Sequence, residues 1–123
     1  MNPALTGIWE MIRAESGGEH SLELLALRVE LELTSARYTV RFGGQVADRG
    51  TLAVASASSL TITGTEGPNL GRTIPCIYQV AGDRLRICYG MDGTAPEKFA
   101  SPAGSTNYLA TYRRRSAEEF AIA

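Results

Sequence analysis

The amino-acid sequence predicts one all-β domain, a single antiparallel up-and-down barrel of about eight strands. Apolar and polar residues alternate in several short runs, and each run ends near a glycine, serine or aspartate. No stretch of helical periodicity separates the runs, which excludes a parallel sheet with crossover helices. Such strands can form a sandwich or a barrel, and closure is favoured because it removes exposed sheet edges.

The clearest alternation is that of the leucine-rich run that starts at Leu25 and ends at Leu33, where Arg28, Glu30 and Glu32 stand between the apolar residues. This pattern predicts a strand with one solvated face. A first strand is predicted within residues 5–14. Further strands are predicted at residues 37–42, 52–54, 60–63, 74–80, 84–89 and 108–113.

Gly82 and Asp83 lie between two of these runs and predict a two-residue hairpin turn. If Ala81 faces Arg84, the register pairs Val80 with Leu85, Tyr78 with Ile87 and Cys76 with Tyr89. Most apolar side chains of both strands then share one face. Cys88 falls on the opposite face from Cys76, so a disulfide between them is excluded and both are predicted to be free thiols.

The remaining segments are predicted as loops and short helices. Residues 90–107 contain several glycines and prolines and predict a long loop, with Phe99 as its inward anchor. A helical turn is predicted over residues 19–24, and Ser116 with Glu119 predicts a capping box that opens a short C-terminal helix. The chain is thus interpreted as one domain over residues 1–123, with its core at about 5–114 and a tail at 115–123.

Composition excludes several classes of function. The 12 basic and 13 acidic residues nearly cancel, which argues against a nucleic-acid partner. No apolar run is long enough for a membrane span, and a single histidine with two cysteines predicts no metal site and no cofactor. The first residues do not look like a secretory leader, so a cytoplasmic location is expected by default, although a trimmed exported protein would look the same.

Two motifs resemble known proteins. The run Leu5-Thr6-Gly7-Ile8-Trp9 resembles the G-x-W opening of lipocalins, and residues 77–88 are similar to the hairpin core of a family of small lipocalin-like domains found in planctomycete-type bacteria. Pro96, Phe99, Gly104, Ser105, Leu109 and Arg113 follow in the order that this family uses. The resemblance covers residues 5–114. It departs from the family at Ala95, where an arginine is usual.

The resemblance implies a lipocalin-like barrel, and no activity is settled for the family. Gly7 would permit a close turn and Trp9 would plug the closed end of the barrel. An arginine of the last strand would cover the tryptophan, and Arg113 is the candidate. Arg114 remains the alternative, because it shares strand parity with Tyr108 and Tyr112.

The predicted interior could hold a small apolar or aromatic ligand, with phenols as polar anchors. Eight residues are candidates for the lining of such a cavity: Met11, Tyr38, Phe42, Cys76, Tyr78, Ile87, Tyr89 and Phe99. In a barrel this small, however, side chains can fill the interior by themselves.

Two other classes of function stay open. Ile77 and Cys88 form an outward apolar pair, which would suit an interaction module or a homodimer, and Cys88 should be the more accessible thiol. Interior tyrosines beside an arginine could carry out acid–base chemistry on a carboxylate. Since no nucleophile with an adjacent base is visible and His20 lies in a polar, solvated context, an enzyme is the least favoured class and no catalytic residue is assigned.

Overall fold

A computed structural model describes residues 3–115 and contains nine strands. A 3-10 helix (Pro3–Leu5) precedes the first strand, and a short helix, α1 (Leu22–Ala26), lies between the second and third. The strands are β1 (Gly7–Ser16), β2 (Glu19–His20), β3 (Val29–Leu33), β4 (Arg37–Phe42), β5 (Gln45–Val54), β6 (Ser59–Glu66), β7 (Thr73–Ala81), β8 (Arg84–Gly90) and β9 (Asn107–Arg114).

Eight of the strands form a closed antiparallel barrel. Strands β3 to β9 pair in chain order, β1 pairs with β3 on one side, and β1 also pairs with β9, which closes the sheet. The short strand β2 pairs only with the end of β1. The predicted up-and-down barrel is therefore confirmed, whereas the predicted C-terminal helix at Ser116 and Glu119 falls outside the described residues.

The hairpin of β7 and β8 has the predicted register. Ala81 faces Arg84 and Cys76 faces Tyr89, so the Gly82-Asp83 turn places the apolar side chains of both strands inside the barrel. Cys88 pairs with Ile77 on the outer face. Both cysteines are free thiols in the structure, as the register predicted.

The third strand starts later than the alternation predicted. Leu25 belongs to α1, which begins after the N-cap Ser21, whose hydroxyl accepts a hydrogen bond from the Leu24 amide. Arg28 has a φ of 54°, which breaks the extended chain before Val29. The apolar residues at 25 and 27 continue the period by coincidence, since they precede this break and lie outside the strand.

The barrel has one filled end and one open end. The filled end carries the turns at residues 34–36, 55–58 and 82–83, and its interior is occupied by fully buried Leu5, Trp9 and Leu85. The open end carries α1 and the connections at residues 43–44, 67–72 and 91–106. The barrel is therefore packed with side chains at one end and open at the other.

The outer face carries a network of ion pairs. Arg41 contacts Glu30 and Glu32, with N···O distances of 3.3 and 2.7 Å. Arg115 joins Glu30 to Glu10 across three strands at 2.6 and 3.1 Å. The scattered charges of the sequence thus lie on solvated strand faces, where each pair contributes little to stability.

The long loop between β8 and β9 lies against the outside of the barrel. Phe99 packs under the guanidinium of Arg86, 4.1 Å from the ring centre, so its predicted inward position is wrong. The Cys88 Sγ lies 3.6 Å from the Ala100 carbonyl oxygen and is fully buried, which corrects the expectation that Cys88 is accessible. In the outward apolar pair, Cys88 is covered by the chain's own loop, whereas Ile77 stays partly exposed.

Because both thiols are buried, alkylation should depend on unfolding. Burial raises the pKa of both Cys76 and Cys88, so the reactive thiolate is scarce in the native protein. We expect mass spectrometry to find no alkylation of the native protein at neutral pH and two labels after denaturation without reductant. Absence of labels in the denatured protein, with a mass two hydrogens lower, would contradict the hairpin register.

Candidate functional site

A cavity of about 300 Å³ lies inside the barrel and is bordered at the open end by residues such as Leu24, Pro68 and Met91. Its wall comes from nearly every strand and from α1, and it is mostly apolar. The lining residues are Met11, Leu24, Val29, Leu31, Leu33, Tyr38, Val40, Phe42, Ala47, Asp48, Leu52, Leu60, Ile62, Pro68, Asn69, Ile74, Ile87, Tyr89, Met91, Tyr108 and Tyr112. The barrel interior is therefore only partly filled by its own side chains.

The structure places five of the eight predicted lining residues on the cavity wall, namely Met11, Tyr38, Phe42, Ile87 and Tyr89. Cys76 and Tyr78 are buried in the core but do not border the cavity. The Tyr78 hydroxyl donates to the Ser56 carbonyl at 2.8 Å, in the turn at the filled end. Phe99 lies outside the barrel, as described above.

A cluster of three tyrosines forms one polar region of the wall. The Tyr89 and Tyr112 hydroxyls are 2.8 Å apart, and the Tyr108 ring stacks on Tyr89 with centroids 5.4 Å apart. Burial raises the pKa of Tyr108 to about 12 and also raises the pKa of Tyr89 and Tyr112. The phenols are therefore neutral hydrogen-bonding groups rather than general bases.

A second polar region surrounds Asp48, which the sequence analysis did not assign to the site. The Asp48 Oδ2 accepts hydrogen bonds from the Tyr38 hydroxyl at 3.1 Å and from the Asn69 Nδ2 at 2.9 Å. The Oδ1 atom is buried and accepts no hydrogen bond within residues 3–115. Burial, followed by the negative charge of Asp48, raises the pKa of Tyr38, which keeps this hydroxyl a donor.

Asp48 gives the cavity a negative character. Of the described residues on the wall, it is the only one with an ionisable acid or base other than a tyrosine. No arginine borders the cavity within residues 3–115, so the acid–base chemistry considered for tyrosines beside an arginine lacks its cation there. The arrangement suits the binding of a small apolar molecule through a few polar contacts.

The filled end is closed by Trp9 and Arg114. The Arg114 guanidinium lies 4.2 Å from the Trp9 ring centre, and the Trp9 Nε1 donates to the Leu5 carbonyl at 2.9 Å. Gly7 has a φ of 141°, and a Cβ there would lie 2.7 Å from an Arg114 nitrogen, so glycine permits this approach. Arg113 points outward to Glu10 at 3.0 Å, which corrects the assignment of closure to Arg113.

The closed barrel with this base is consistent with a lipocalin-like fold. No family model matches the chain, and no curated protein matches it.

No helix within residues 3–115 has the length and apolar character needed to cross a membrane. In the same residues, no three histidine, cysteine or acidic side chains are grouped as a metal site would require.

His20 lies on β2, near the open end, and is only partly exposed. Its Nδ1 is 3.0 Å from the Ala14 carbonyl oxygen, which indicates that Nδ1 carries a proton and donates. The predicted solvated position is therefore only partly right, because the ring is fixed to β1. His20 does not border the cavity.

Proposed function

We propose that this protein is a lipocalin-like domain that binds a small, largely apolar or aromatic molecule inside its barrel. The observation that carries the proposal is the cavity of about 300 Å³ near the open end. This volume is about that of ten water-sized groups, at the lower limit of small-molecule pockets. The hairpin motif and the Gly7-x-Trp9 opening support a place among the planctomycete-type lipocalin-like domains.

The chemistry of the wall supports a compact ligand with few polar atoms. Leucine, isoleucine and valine make up 10 of the 21 lining residues, and seven of these ten lie on β3, β5, β6 and β7. The tyrosine cluster and Asp48 provide hydrogen-bonding groups at separate places. Burial of an apolar ligand body would stabilise the complex by about 25 cal/mol per Å² of apolar surface removed from water, before the cost of association.

A cavity-filling substitution tests this proposal. Val40 borders the cavity, so Val40→Phe should occupy part of its volume, whereas Thr39→Phe adds the same ring on the outer face of the same strand. We expect phenethyl alcohol to raise the melting temperature of the native protein and of Thr39→Phe. Val40→Phe should bind it at least about tenfold more weakly, which corresponds to 1.4 kcal/mol.

Calorimetric titration and thermal shift measure these affinities, and circular dichroism checks that each variant is folded. Equal binding by the native protein and by Val40→Phe would place the ligand outside the barrel. No binding by any variant, with the apolar probe in large excess, would contradict the proposal.

A second candidate function is an interaction between the open end and another protein or a second copy of the chain. Large apolar side chains are exposed there on α1, strand ends and loops, namely Leu22, Leu27, Phe42, Val46 and Leu70. An exposed apolar rim of this kind supports a contact surface as well as a ligand entrance. A doubled mass in sedimentation, reduced by Leu70→Glu, would favour this function.

A further inference from the structure

The carboxylate of Asp48 is an unusual feature of an apolar cavity, because its charge lacks a cationic partner among the described residues. Asp48 is 93% buried, as its relative exposure is 7%. Within residues 3–115 it accepts hydrogen bonds from two neutral donors, the Tyr38 hydroxyl and the Asn69 amide, and both bind Oδ2. Burial of a carboxylate is costly unless a cation or enough donors compensate for the lost water.

Resting on the proposed function, we propose that the barrel binds a small organic amine, whose ammonium group pairs with the carboxylate of Asp48 on the cavity wall. An apolar or aromatic body of about ten non-hydrogen atoms would fill the rest of the cavity, as its volume of about 300 Å³ allows. The ammonium supplies the positive charge that the carboxylate lacks among the described residues.

The surroundings of Asp48 favour a cationic ligand. Tyr38 and Asn69 both bind Oδ2 and so fix the orientation of the carboxylate. Gly67 lies beside Oδ1, and a Cβ at this glycine would come within 2.9 Å of it, so a larger residue would crowd the free oxygen. Pro68 and Asn69, in the connection at residues 67–72 at the open end, border the same cavity as Asp48.

An anionic ligand is disfavoured by the same geometry. A carboxylate placed in the cavity would face the negative charge of Asp48, and no described residue of the wall supplies a cation. A neutral alcohol could donate one hydrogen bond to the carboxylate but would leave its charge unpaired. The expected order of affinity is therefore amine, then alcohol, then carboxylate.

The test compares three ligands that share one phenyl body: phenethylamine, phenethyl alcohol and hydrocinnamate. Each is titrated at neutral pH into the native protein and into Asp48→Asn. The asparagine keeps the shape of the side chain, can accept from Tyr38 and Asn69 through its carbonyl, and places an amide donor at the position of Oδ1. Thermal unfolding confirms that the variant is folded.

We expect the amine to bind the native protein at least about tenfold more tightly than the alcohol, and Asp48→Asn to remove this preference. Equal affinity of amine and alcohol for the native protein, or an unchanged preference in Asp48→Asn, would overturn the amine proposal and leave the apolar cavity as the binding site. Tightest binding of hydrocinnamate would also overturn it. Failure of all three ligands to bind the native protein would contradict the proposed function itself.

Discussion

Truncation of Trp9 to alanine is expected to lower the free energy of unfolding by about 3 to 5 kcal/mol, as for other large buried aromatic side chains. The indole is fully buried at the filled end of the barrel, where it packs within the main core cluster. Its removal would leave a cavity, deprive the Leu5 carbonyl of its indole donor and remove the ring beneath Arg114. The base of the barrel should therefore open.

Urea unfolding followed by circular dichroism measures this change, since Trp9 is the only tryptophan and its fluorescence is lost in the variant. Phe99→Ala is the matched control, because it removes an aromatic ring that stacks on an arginine outside the barrel. We expect the control to lose about 1 kcal/mol. A Trp9→Ala protein as stable as the native one would show that the indole does not support the base.

The pairing of β7 with β8 could be predicted from the sequence because local chemistry determines it. The Gly82-Asp83 turn sets the hairpin register, and the alternation of apolar residues then decides which face is buried. The predicted positions of Tyr78 and Ile87 in the core follow from this parity. Where the pattern and the turn agree, little tertiary information is needed.

The start of β3 could not be predicted from alternation alone. A short helix and a strand both accommodate leucines at 25 and 27, and the difference lies in the cap at Ser21 and the backbone of Arg28. Phe99 presents a related problem. Its position depends on a distant contact with Arg86, which loop composition does not encode.

Asp48 was missed because aspartate, arginine and glycine in succession are typical of a turn. The structure instead continues β5 through these residues, with Leu52, Gly50 and Asp48 facing the interior. Extending the alternation backward from Leu52 would have placed Asp48 inside. The cavity itself depends on the volumes of side chains from many strands, which periodicity does not provide.

The choice between the two arginines of β9 depends on which face of the strand each arginine occupies. Arg114 shares its face with Tyr112 and Ala110, which are buried in the barrel, whereas Arg113 lies on the exposed face. The family resemblance alone favoured Arg113. Strand parity, which follows from the pleat of the sheet, indicates Arg114, and the structure agrees with parity.

Replacement of Arg114 by alanine is expected to cost about 2 kcal/mol, from the lost cation–π contact and the lost charge-assisted hydrogen bonds. Its guanidinium donates to the carbonyls of Thr6, at 2.7 Å, and of Ala4, and thereby ties the N-terminal segment over the base.

Arg113→Ala is the control and should cost less than about 1 kcal/mol, because its ion pair with Glu10 is largely solvated. Urea unfolding followed by Trp9 fluorescence measures both variants, and the native emission of Arg114→Ala should also change because the ring loses its cover. A greater loss of stability in Arg113→Ala than in Arg114→Ala would contradict closure of the barrel by Arg114.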